Sequence, residues 1–248
     1  MRRRPPSYRA GMSSPATDTA LADVFVMLAD SLRSGYDTLD TLDLLVEAST
    51  TFTSAVEAGI LLADAEGRLH VAASSTERSA AVEEAQMGVN GGPCAEAIQA
   101  GTTVDVPVIE ATRGTWPEFV ATARARGFLA AHAIPLRLRS QTLGGLNLFS
   151  ARTGALSDGD QALAEALAQI ATISIVQHQT VTEHGLLNAQ LQRALDSRIV
   201  IEQAKGVISQ QRAISIDSAF ALLRSHARSS STGLKQIANQ VVNDGFVI

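Results

Sequence analysis

The sequence predicts an α+β protein: an antiparallel sheet with helices against it, then a helical connector and a three-helix bundle. Three observations predict it. Between Val56 and Phe149, short apolar runs alternate with small helical segments punctuated by Gly and Pro. A long helical run opens after Ser157. The stretch Leu195–Val242 then holds three amphipathic helices, each apolar at helical spacing.

Residues 1–18 are rich in Arg, Pro, Ser and Thr and read as a disordered arm, in which Met12 offers a second possible start. Leu21, Val24, Phe25, Leu28 and Leu32 share one helical face, which Gly35 closes. A second helix runs from about Asp37, with Leu42, Leu45, Val46 and Ser49 on its face and Asp37 and Asp40 in its first turn, where the helix dipole favours them. Val56–Leu62 and Leu69–Ala73 read as a hairpin, with His70 facing outward. A polar helix covers Glu77–Glu84. Gly91-Gly92-Pro93-Cys94 opens a short helix that ends before Gly101, with Pro at the first helical position and Gly past the end. Thr103–Val106 is a short strand, and Trp116-Pro117 starts a helix capped by Gly127. Ala130–Leu138 and Leu143–Phe149 form a last hairpin across Arg139-Ser140-Gln141.

Ser157-Asp158-Gly159-Asp160 begins the long run, carried by Ala162, Leu163, Ala166, Leu167, Ile170, Ile173 and Ile175. It continues toward Leu187, Leu191 and Leu195 with Gly185 as its weakest point. Those leucines recur every four residues, too drifting a stripe for a long coiled-coil seam but enough for a short contact between two subunits.

In the C-terminal stretch, Val200, Ile201, Ala204, Val207 and Ile208 form one face, with Arg198, Lys205 and Arg212 as an exposed basic stripe beside it. Ser215 caps the second helix, with Asp217 in its first turn. Its buried face is Ile216, Ala219, Phe220, Leu223 and Ala227, with Arg224 and Arg228 on another side. The third starts near Thr232, buries Leu234, Ile237, Ala238, Val241 and Val242, and ends at Asn243-Asp244-Gly245. Gly206 in mid-helix costs about 1 kcal/mol relative to Ala, so it implies close packing against a neighbouring helix.

This stretch resembles the ANTAR domain, an RNA-binding output module of bacterial antiterminators. Ser197-Arg198, Ile201-Glu202-Gln203-Ala204-Lys205-Gly206-Val207-Ile208, Ala219-Phe220 and Leu222-Leu223-Arg224 carry the resemblance, followed by Ala227-Arg228, Leu234 and Ala238. It departs from the pattern at Ser209-Gln210, where many members carry a large apolar residue. Residues 21–180 resemble a GAF domain, through Glu57-Ala58-Gly59-Ile60, Gly92-Pro93-Cys94-Ala95-Glu96-Ala97, Ala133-Ile134-Pro135-Leu136 and Leu143-Gly144-Gly145-Leu146-Asn147-Leu148. Together they resemble the GAF–ANTAR regulators common in actinobacteria. The expected division is an arm (1–18), a GAF-like sensor (19–180), a helical connector (181–194) and an ANTAR-like output domain (195–248).

Charge is unevenly shared. The net charge is −5. From Gln190 onward there are seven basic and four acidic residues, +3, leaving thirteen against twenty-one, −8, for the rest. The C-terminal fifth alone suits a polyanion. The single cysteine, Cys94, excludes an intramolecular disulfide. No run reaches the ~20 apolar residues of a membrane span, and the start lacks a signal-peptide core, so the expected location is the cytoplasm.

Two residues of the sensor are ligand-binding candidates. Cys94 sits at a helix N-terminus, which lowers a thiol's pKa. The GAF-related fold also serves free-methionine sulfoxide reductases, but their chemistry needs a second thiol, and a small buried residue in a tight turn outweighs a reactive one. His132 shares a sheet face with Ile134 and Leu136, the side on which a GAF ligand or haem could sit; a hydrogen-bonded core histidine outweighs that reading. The sequence has no phosphate-binding Gly-rich loop, metal cluster or catalytic triad, so neither an enzyme nor a cofactor is expected.

On periodicity alone, a solvated helical face is the heavier reading for the basic stripe. The ANTAR resemblance reverses it, and makes Arg198, Lys205, Arg212, Arg224, Arg228 and Lys235 the expected RNA-binding residues. RNA hairpin loops are read by phosphate contacts and by bases stacked on aromatic or guanidinium planes. Phe220 looks buried, so Arg224 and Arg228 are the stacking candidates, with Lys205 and Lys235 on phosphates. The resemblance thus implies a homodimeric, signal-responsive transcription antiterminator that binds hairpins in nascent RNA and senses a small ligand or protein partner. The alternatives are a DNA-binding regulator and a thiol enzyme using Cys94.

Overall fold

The computed structural model describes residues 22, 24–28, 38–64, 66–88, 91–138, 141–177, 187–230 and 232–248. The arm, the Met12 start, Gly35, Gly185 and the side chains of Leu187, Leu191 and Leu195 lie outside the described residues.

Five strands form one antiparallel sheet: β1 (Glu57–Ala63), β2 (Leu69–Ser74), β3 (Val104–Val106), β4 (Ala130–Leu138) and β5 (Gln141–Ser150), in spatial order β2-β1-β5-β4-β3. β5 sits at the centre between β1 and β4, which is why most residues of these strands are buried on both faces. Gly144 and Gly145 have steric reasons to be glycine. A Cβ at Gly144 would collide with the Leu61 carbonyl, and one at Gly145 would lie 2.6 Å from the Cys94 Sγ.

Two helices cover one face, α1 (Thr38–Phe52) and the long α5 (Asp158–Gln177). Leu42, Leu45 and Val46 of α1 and Ala164, Leu167, Ala168 and Ala171 of α5 pack on Ile60, Leu62, Ile134, Leu136, Leu146 and Leu148. Residues 24–28 are helical, and Leu28 joins this core. On the other face lie α2 (Glu77–Gln86), α3 (Pro93–Ala100) and α4 (Pro117–Ala125), with a 3-10 turn at Ile109–Thr112. Phe119, Phe128, Phe149, Trp116 and Val82 form one cluster there, and Leu61, Cys94, Ala97 and Ala133 another.

Local chemistry sets the helix ends. Thr76 caps α2 by accepting the Arg78 and Ser79 N–H groups, and Gly101 ends α3 at φ +66°, where a side chain would be strained. α6 (Leu187–Arg212) is one unbroken helix through the expected boundary at 194/195, followed by α7 (Ile216–Ser229) and α8 (Leu234–Asn243). Among the described residues, no helix is long and apolar enough to cross a membrane.

Candidate nucleic-acid interface and the sensor interior

The bundle forms as its periodicity predicts, except that Ile216, expected on the buried face, is only half-buried at the start of α7. Ile201, Ala204, Ile208, Ala219, Phe220, Leu223, Ala227, Leu234, Ile237, Ala238 and Val241 close one apolar core. Ser215 caps α7 by accepting the Ser218 N–H, and Gly233 caps α8. Ser209, the departure from the ANTAR pattern, donates its hydroxyl to the Ile214 carbonyl at 2.6 Å and so binds the α6–α7 turn. Gly206 contradicts its expectation: it is exposed, and a Cβ there would meet nothing within 4 Å. Close packing is supplied instead by Ala204, Ala219 and Ala238, all fully buried.

The basic residues are where the structure departs most from the reading of an open stripe. Lys205 is 1% exposed, not solvated. Its Nζ pairs with Glu77 of the sensor, lies 2.7 Å from Glu202, and sits 4.9 Å from the centre of the Phe220 ring. The Arg224 guanidinium lies over the same ring at 4.1 Å, so Phe220 holds both cations by its π face. Arg224 also bonds Asp43 Oδ1 and the Ser74 carbonyl, both at 3.1 Å. Arg228 pairs with Glu47. Arg198 pairs with Glu202 at 2.8 Å and donates to the Ser74 hydroxyl at 3.2 Å. Four of the six expected residues therefore converge on one side of the bundle, and that side is against the sensor. Arg212 stands apart, donating to the backbone oxygen of Ile248, and Lys235 is half-buried on α8.

The sensor carboxylates that meet them, Asp43, Glu47 and Glu77, went unread in the sequence. Asp43 and Glu47 follow Asp40, read as a first-turn residue, at i+3 and i+7, which puts three carboxylates on one face of α1. That spacing was a legible signal. Glu77 and Ser74, at the β2–α2 junction, carried none.

Cys94 and His132 lie on opposite faces of the sheet and share no site. Cys94 is at the α3 N-terminus, yet its thiol is pushed well above the ordinary range, first by burial and then by nearby Glu83. Burial outweighs the helix-end effect, and Cys94 sits where the heavier reading put it, as a small buried residue in a tight turn. His132 follows Ile134 and Leu136 on the α1/α5 face, away from Cys94. It is buried and bonds Asp105 through Nδ1 at 2.9 Å, while its Nε2 has no partner. His70 is part-exposed and bonds Asp64 at 2.9 Å, the main cause of that carboxylate's strongly lowered pKa.

Around Cys94 the sensor buries a polar cluster. Glu83 Oε2 accepts from Asn147 Nδ2 at 2.6 Å and from Gln86 Nε2 at 3.0 Å. Gln86 in turn accepts the Cys94 N–H at 2.9 Å, capping α3. Glu83 Oε1 lies against Gly59, where a Cβ would collide with it, and has no partner. Burial raises this carboxyl to about 8. An open groove of about 550 Å³ lies elsewhere, lined by residues that include Thr103, Ile134, Arg137, Glu165 and Gln169; neither Cys94 nor His132 lines it. Among the described residues, no cluster of His, Cys, Asp and Glu could hold a metal ion.

Fold and site together define a two-domain protein, an antiparallel sheet domain against the basic side of a three-helix bundle. A GAF-domain family model matches residues 37–176, and an ANTAR-domain model matches residues 189–242. The chain belongs to the GAF family, and the ANTAR domain that follows makes it a GAF–ANTAR regulator of signal transduction and transcription. The GAF domain of an Acinetobacter phosphoenolpyruvate-protein phosphotransferase is similar at a TM-score of 0.54 and 14% identity, covering 70% of this chain and 100% of that one. A free methionine-R-sulfoxide reductase from Neisseria meningitidis, solved with its substrate, is similar at a TM-score of 0.50 and 18% identity, covering 69% and 96%. At these identities the likeness is one of fold. No curated protein matches the chain.

Proposed function

We propose that this protein is a signal-responsive transcription antiterminator whose ANTAR bundle binds hairpins in nascent RNA. The observation that carries this reading is the convergence of Arg198, Lys205, Arg224 and Arg228 on one side of a bundle that the ANTAR model matches. Guanidinium groups bond phosphate in two places at once and stack on splayed bases, so this set suits structured single strands. Arg212 and Lys235 would add phosphate contacts outside this set. Two bundles engaging tandem hairpins gain from effective concentration, so the active form is a homodimer. The GAF sensor controls access in response to a small ligand or protein partner, and the protein acts without catalysis, in the cytoplasm. The high pKa of Cys94 argues against a thiolate nucleophile.

The test is to cross-link RNA to the full-length protein in cells, sequence it, and fold the recovered segments. Paired hairpins upstream of terminators are expected. Recovery of duplex DNA in place of RNA would identify a DNA-binding regulator.

A further inference from the structure

We infer that the arrangement described here is the closed, RNA-excluding state, in which Asp43, Glu47 and Glu77 of the sensor stand where RNA phosphates must lie. This rests on the RNA-binding reading of the bundle. Each carboxylate engages one of its cations: Asp43 with Arg224, Glu47 with Arg228, Glu77 with Lys205. The Arg198 and Arg224 side chains are 14% and 16% exposed and Lys205 is 1% exposed. A phosphate needs direct approach at hydrogen-bond distance to a cation; the sensor fills that space at Lys205 and Arg224, and at the more exposed Arg228 the Glu47 carboxylate occupies it. RNA and the sensor face are therefore mutually exclusive partners.

The docking is built from both sides. Asp217 of α7 accepts the Glu77 N–H at 3.0 Å, satisfying an orphan donor at the start of α2. Asp40 of α1 accepts the Leu234 N–H at 2.9 Å and does the same for α8. Each domain thus caps a helix of the other. Apolar commitment is small: among the described residues, Leu39 is the one sensor side chain in the bundle's apolar cluster. A polar interface can open without exposing a large apolar face, as expected of domains that separate and re-dock. Ions and hydrogen bonds hold this state, and water or phosphate can replace them.

The experiment compares the full-length protein with its Asp43→Asn/Glu47→Gln/Glu77→Gln variant, which leaves every basic residue intact. The probe is a pool of synthetic RNAs, each carrying two tandem hairpins with randomised loops. Binding is read by filter retention, and docking by hydrogen exchange at the Glu77 and Leu234 amides. Faster exchange with at least tenfold tighter RNA binding is the expected result. Faster exchange with an unchanged, measurable affinity overturns the inference and leaves the RNA reading standing. No RNA binding by either protein, with exchange accelerated, overturns the RNA reading and the inference with it. Unchanged exchange shows that the carboxylates do not hold the domains together, and also overturns it. If the triple variant does not fold, Glu47→Gln alone, at a pair with exposed side chains, gives the same comparison at an expected threefold gain.

Discussion

Glu83 is a carboxyl shut away from water, with two donors on one oxygen and none on the other. Its folded pKa is raised from 4.5 to about 8. Between those values the folded protein keeps a proton that the unfolded chain has lost. The contribution to stability is therefore full below about 4.5 and is lost as pH rises through about 8. The melting temperature should fall between pH 6 and pH 9, and Glu83→Gln, neutral throughout, should flatten that fall. Equal slopes in the two proteins would place the titrating group elsewhere. Gly206 gives a second residue-scale prediction. It is exposed in mid-helix with nothing near its missing Cβ, so Gly206→Ala should stabilise the bundle by about 0.5–1 kcal/mol. A lower urea midpoint would mean that something approaches that helix face in solution.

Among the elements, α7 shows how closely three short helices must pack. Ala219 is fully buried beside Phe220 and Leu223. Ala219→Leu should cost roughly 1–3 kcal/mol by overpacking, read as an earlier unfolding of α7 in hydrogen exchange; wild-type protection would place Ala219 outside the core. The helices α3, α4, α7 and α8 end where their Pro, Ser and Gly signals place them, because caps act within one turn. α2 was also legible as a polar helix, but its burial was not. Glu83 and Gln86 face inward on it because Asn147 and the Cys94 N–H, distant in sequence, supply partners, while buried Ser79 bonds Thr76 in the helix cap. Composition cannot distinguish a solvated polar face from one satisfied across the core.

At the scale of the whole molecule, the Arg228–Glu47 pair joins residues 181 positions apart. It is exposed enough that its coupling should be on the order of 0.2–1 kcal/mol and weaken with salt. Arg228→Glu and Glu47→Arg should each speed exchange at the Leu234 amide, and the double exchange of charge should restore protection. RNA binding should stay weak in the double variant, since Arg228 is gone. Recovery of RNA binding there would remove Arg228 from the interface.

Periodicities of two and 3.6, with Gly and Pro punctuation, were enough to place the sheet, its flanking helices and the three-helix bundle. Those signals are local, each carried by residues within a turn or a strand's length of one another. The basic residues were equally legible as a set. Their surroundings were not, since burial of Lys205 depends on Glu77, 128 positions away, and on the fold of both domains. The opposite faces taken by Cys94 and His132 likewise follow from sheet order and strand register, which one strand's pattern does not specify. A helix face read alone is assigned to solvent; here long-range pairing of charges turned it toward the sensor, because Glu77, Asp43 and Glu47 meet Lys205, Arg224 and Arg228.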